Sequence, residues 1–176
     1  MYRTLESWAR GLAVLMAWAG GLALLLVVAL TVVSILGRAG DSLGLGLKPL
    51  PGDTEYVEFG IGFAVFAFLP WCTYARAHAS VDLLQPVLGR RLNRLIDLIA
   101  DIGMLSLALL LTWRLWLGML DKRGYHETTF ILRAEIWWGY AAGMVGAVAF
   151  CLVAAFAVLR SARALTGATE QGGQAA

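Results

Sequence analysis

The sequence predicts an all-α integral membrane protein of four transmembrane helices, with an amphipathic cytoplasmic surface helix between the second and the third. Three observations predict it. The chain of 176 residues is 60% hydrophobic and only 15% charged, so a soluble domain would need an implausibly large core to hide its apolar surface. Its mean hydropathy is +0.73. Its charged residues fall into short clusters that divide the chain into four long apolar runs.

A spanning helix needs about 20 apolar residues. The first span lies at about 11–36, inside a run of 27 uncharged residues from Gly11 to Gly37. That run exceeds a signal-peptide core of roughly 7 to 15 residues and predicts a retained anchor. The second, about 57–76, holds 17 uncharged residues between Glu58 and Arg76. It is short unless its flanking side chains snorkel, and Pro70 predicts a kink. The third, about 95–120, contains Asp97, Asp101 and Arg114, which predicts that these positions face protein rather than lipid. The fourth, about 135–160, includes 24 uncharged residues from Ile136 to Leu159. Gly60 and Gly62 with Gly139, Gly143 and Gly146 are the predicted close contacts between spans, and GYAAG is a small-xxx-small pattern.

Four spans place both termini on one side. Arg3, Arg10, Arg76, Arg90, Arg91, Arg94, Arg160 and Arg163 collect there, against Arg38, Lys48, Lys122, Arg123 and Arg133 on the other. The positive-inside rule makes the first side cytoplasmic. Trp113, Trp116, Trp137, Trp138 and Tyr140 then form an outer aromatic belt. Between spans two and three, at about 80–93, Val81, Leu84, Val87, Leu88 and Leu92 recur at spacings of three and four opposite arginines, the pattern of a helix lying on a membrane surface. The first outer loop is rich in glycine and proline and predicts irregular chain. The tail, 166–176, is small and polar and predicts disorder on the cytoplasmic side.

Net charge is +2, too small to imply nucleic acid; lipid, or protein within lipid, is the implied partner. Cys72 and Cys151 sit alone in apolar runs, and no hydrolase, zincin, nucleotide or dinucleotide motif occurs. No catalytic residue, cofactor or metal site is predicted. His78 and Asp82 are four residues apart, which suits a metal pair or proton relay, but two ligands do not make a metal site, and His126 lies across the membrane. The alternative is structural: Arg76 anchors span two while Asp82 caps or pairs with the helix that follows. Asp97 and Asp101, one turn apart, suit a cation site or a fixed ion pair with Arg94 or Arg76. Glu55 or Glu58, opening span two, and Arg114 near the outer end of span three are candidates to pair across the two helices.

The acidic start of span two, the exit run FAFLPWCTYARAHASVDLL, the segment RRLNRLIDL and the outer HETTFILRAEIWWGY, in this order within a four-span frame, resemble the small membrane subunit of TRAP transporters, the DctQ family. The resemblance covers about residues 5 to 162. Arg76, His78, Val81 and Asp82 match the exit motif, Glu55 or Glu58 the acidic start, and Thr128, Thr129, Trp137 and Tyr140 the outer motif. The glycine-rich first outer loop and Arg133-Ala134-Glu135 depart from the family's pattern. The resemblance implies a bacterial inner-membrane, multi-pass, non-catalytic scaffold for a large elevator-type subunit. It implies sodium-coupled, ATP-independent uptake of a carboxylate-containing solute delivered by a periplasmic binding protein. It also implies that Arg76, His78 and Asp82 shape the cytoplasmic corner after span two. Two rivals stand beside it: an independent four-span ion-coupled exporter, and a quinone or haem anchor subunit of a respiratory enzyme.

Overall fold

The structure is a computed structural model that describes residues 2–76 and 85–165, without the side chains of residue 2 and residues 85–91. Four helices make it up: α1 (Tyr2–Ser42), α2 (Asp53–Tyr74), α3 (Gln85–Gly124) and α4 (Trp137–Leu165). All four are long and apolar enough to cross a membrane. Among the described residues the only pairing of extended chain is an isolated bridge between Thr128 and Glu135.

The helices do not pack in chain order. α1 packs on α2, α2 on α4, and α4 on α3, so α4 separates α2 from α3 along most of its length. Its composition explains the central place. Gly143, Gly146, Ala147, Ala149, Ala154 and Ala157 are all buried, and small residues let neighbouring backbones come close where lipid provides no hydrophobic drive for helix association. Phe150 and Ala154 form the deepest cluster with Ala108 of α3, and Leu69 of α2 packs against it. α1 and α3 instead turn large apolar side chains outward, among them Trp18, Leu22 and Leu25 on α1 and Ile99, Leu109 and Trp113 on α3.

The predicted glycine contacts are partly rearranged. Gly139, Gly143 and Gly146 do meet α2, the first two through the rings of Phe59 and Phe66 and the third through the Phe66 backbone. Gly60 faces away from them, onto Val27 of α1, and Gly62 meets nothing within 4 Å. α2 has two packed faces, and Gly60 lies on the one toward α1. Pro70 is buried inside α2, which continues past it to Tyr74.

Length distinguishes the helices. At 22 residues, α2 is about 33 Å long, close to the hydrocarbon thickness. α1 and α3, with 41 and 40 residues, reach about 60 Å and extend well beyond it. Residues 85–93, assigned from sequence to a separate surface helix, are the first turns of α3 and run without interruption into the span; residues 80–84 lie outside the described part, as does the tail 166–176. The loop between α1 and α2 is shorter than its composition suggests, because α1 continues to Ser42. Gly44, Gly46 and Gly52 take positive φ in what remains, and Leu47 folds back over Gly40.

Candidate functional site

The polar side chains gather at the two ends of the bundle and tie its helices together. At the end that holds the two helix junctions 43–52 and 125–136, Asp53 opens α2, where a carboxylate is favoured by the helix dipole. Its Oδ2 accepts a hydrogen bond from Ser34 Oγ and pairs with Arg38, both from the last turns of α1. Ser34 and Arg38 are four apart and so share a face. Two residues further, Glu55 is buried, and its two carboxylate oxygens accept the backbone N–H groups of Ile131 at 2.8 Å and Leu132 at 2.9 Å. A buried charge is tolerable when such donors replace its water.

Glu55 therefore fixes the junction before α4. Thr129 accepts the Ala134 N–H on Oγ1 and donates its own N–H to Ala134 O. Thr128 bridges Glu135, and the Ile136 N–H returns to Glu127 O. The turn needs Arg133 at φ +52°, and Leu132 is seated on Gly52, where a Cβ would lie 2.7 Å from Leu132 Cγ. Trp137 donates its indole N–H to Glu135, stacks on Trp138 and lies under Arg123. Lys122 pairs with Glu127 at 2.6 Å. The tip, Phe130 and Ile131, stands exposed.

At the opposite end Arg76 closes α2. Its N–H donates to Thr73 O, and its φ of +50° places it in the left-handed conformation that usually belongs to glycine at a helix C-terminus. The side chain explains why arginine occupies the position. Nη1 meets Asp97 Oδ2 at 3.0 Å, while Nη2 meets Asp101 Oδ2 at 3.2 Å and Ser161 Oγ at 2.7 Å; Ser161 also donates to Asp101. Arg76 thus joins α2, α3 and α4 at one point. The Asp101 side chain is only 14% exposed against 48% for Asp97, so the Asp101 contact is the less screened of the two. Beside it Arg160 donates from Nη1 to Tyr74 O at 3.3 Å and lies over the Tyr74 ring. Tyr74 in turn stacks on Trp71 and Phe156.

Of the residues named from sequence, the structure brings together Arg76, Asp97 and Asp101 at one end and Glu55, Thr128, Thr129 and Trp137 at the other. Arg94 lines a pocket with Arg76, Asp97 and Arg160. Tyr140 packs its ring over Gly118 of α3. The expected pairing of Arg114 with Glu55 or Glu58 does not form. Arg114 and Glu58 are exposed, Glu55 is engaged by backbone donors, and α4 stands between α2 and α3. His78 and Asp82 lie outside the described residues. Sequence reasoning missed Ser34, Asp53, Arg160 and Ser161 as partners. An i, i+4 pair facing an acidic helix start was a usable signal for the first two; nothing marked Ser161. Among the described residues no three His, Cys, Asp or Glu side chains gather as a metal site.

No curated protein and no solved structure matches the chain. A family model does, that of the DctQ component of tripartite ATP-independent periplasmic transporters, over residues 27–164. That match takes in the ties at both ends, α1 from Val27 onward, all of α2 and α3, and α4 as far as Ala164, and the chain belongs to the DctQ family.

Proposed function

We propose that this multi-pass membrane chain is the small permease subunit of its transporter, a non-catalytic scaffold that steadies a large elevator-type subunit. In this reading the complex takes up a carboxylate-containing solute, coupled to sodium, after delivery by a periplasmic binding protein. The chain sits in the bacterial inner membrane with both termini cytoplasmic, and the basic first turns of α3 emerge at the cytoplasmic surface.

The observation that carries the scaffold reading is the arrangement around Arg76. A mobile coupling site keeps a carboxylate available to an ion, whereas Asp97 and Asp101 are both engaged by one guanidinium, and Asp101 also by Ser161. Their part is to hold helices at fixed distances. The outward apolar faces of α1 and α3 are left for lipid and the large subunit. Native mass spectrometry of the protein gently extracted from its own membrane tests this: recovery one-to-one with a much larger multi-span subunit is expected. Recovery alone, or as a homodimer that moves a cation in liposomes, would overturn the proposal.

A further inference from the structure

Arg114 of α3 is a charge well inside a span. Gly118 meets the ring of Tyr140, Leu115 lies against Gly143, and Thr112 Oγ1 is 3.4 Å from Ala147 O. These contacts fix its level against α4. At 1.5 Å per residue it stands about 10 Å below Trp137 at one end and about 20 Å from Asp101 at the other, about a third of the way across a hydrocarbon core. Arg114 is exposed and makes no hydrogen bond or ion pair among the described residues. It shares one stripe of α3 with Leu107, Leu110 and Leu117, all exposed, and with Gly103, which meets nothing within 4 Å.

Two other ways to satisfy this arginine are opposed by the geometry. Helical side chains lean toward the N-terminus of their helix, whereas the nearer interface lies toward the C-terminus of α3, so the guanidinium would snorkel to water only against that lean. A second copy of this chain, inserted the same way, keeps every residue at its own depth and offers no carboxylate at this one. Phe59 packs on Gly139, which puts Glu58 about 8 Å nearer the end of the bundle, and Asp97 and Asp101 are engaged at the opposite end.

We infer that the stripe of Leu107, Leu110, Arg114 and Leu117 is the face on which α3 receives a transmembrane helix of the large subunit, with Arg114 paired to a carboxylate that this helix carries inside the membrane. Intramembrane charges face protein and pair with one another. An arginine fork takes a carboxylate through two parallel N–H···O bonds, the leucines on either side exclude lipid from the pair, and Gly103 leaves room for a close crossing. The inference rests on the scaffold reading. It adds to that reading the face used and the chemistry the partner must supply, an Asp or Glu set among apolar residues.

The test uses the full chain in membranes together with the large subunit. p-Benzoylphenylalanine placed at Leu110 or at Leu117 should, on illumination, give an adduct that contains large-subunit peptides. At Leu109, exposed on the far side of α3, it should react with lipid alone. Arg114→Gln should reduce co-purification of the large subunit roughly tenfold, the loss of one charge-assisted pair, and Arg114→Lys should keep most of it. The thermal midpoint of the purified chain should be the same for Arg114→Gln as for the unaltered protein. A lowered midpoint would make Arg114 an internal tie and overturn the inference. So would unchanged co-purification of the Gln variant, or adducts from Leu110 and Leu117 that hold only lipid or a second copy of this chain. These results leave the scaffold reading standing, because the unaltered pair still co-purifies; failure of the unaltered pair to co-purify would overturn both.

Discussion

The backbone carbonyl of Phe66 lies directly against Gly146, so close that a Cβ on the glycine would sit 2.7 Å from the oxygen. Phe66 is four residues before Pro70, whose missing N–H leaves that carbonyl without its helical donor. α2 therefore presents a carbonyl that lacks its helical donor at the point where α4 has no side chain, and the two backbones are in direct contact there.

Gly146→Ala should lower stability by about 1–3 kcal/mol, the range for forcing extra volume into a packed interior. Gly62→Ala, which meets nothing within 4 Å, should be neutral or slightly stabilising. Thermal unfolding in detergent separates them, and equal midpoints would show that the α2–α4 approach is looser than described.

Arg76 offers an unusual ordering of variants. Removing the guanidinium leaves Asp97 and Asp101 without their shared partner, so both Arg76→Ala and Arg76→Gly are expected to destabilise. Because the residue sits at φ +50°, glycine should be the better of the two by roughly 1 kcal/mol, the reverse of their order inside a helix. Chemical or thermal unfolding of the pair measures the difference. Alanine being the more stable would place the residue outside the left-handed region.

Glu55→Gln should free the junction before α4. A carboxylate accepts two N–H groups on two oxygens, whereas an amide has one acceptor oxygen and loses the charge, a loss of about 1–3 kcal/mol. Hydrogen exchange of the Ile131 and Leu132 amides reads it directly. Faster exchange there, with Thr112 and its α3 neighbours unchanged, is the expected result.

Arg114→Glu combined with Glu58→Arg should show no coupling in a double-mutant cycle, within about 0.5 kcal/mol. The two residues are on helices that α4 keeps apart. Rescue of one change by the other in thermal unfolding would require a different helix order.

If the scaffold proposal holds, Arg76→Ala should reduce the yield of the complex with the large subunit more than it changes the apparent affinity for solute. Co-purification and uptake assays on the same variant compare the two. A normal yield with a raised KM would contradict it.

Sequence by itself determined the four helices and the family, because span length and hydropathy are local quantities that the bilayer imposes on each segment separately. It also marked Arg76, Asp97, Asp101 and Glu55, since a charge at the border of a span needs a partner. Only the tertiary structure decided which partners those are. The order α1, α2, α4, α3 follows from the small residues of α4, whose value depends on what faces them, and that order removed the Arg114 pairing and supplied Ser161. Glu55 found no arginine at all but two backbone N–H groups at Ile131 and Leu132. Backbone donors are present at nearly every residue, so one-dimensional sequence carries no mark of which of them a fold will turn toward a charge.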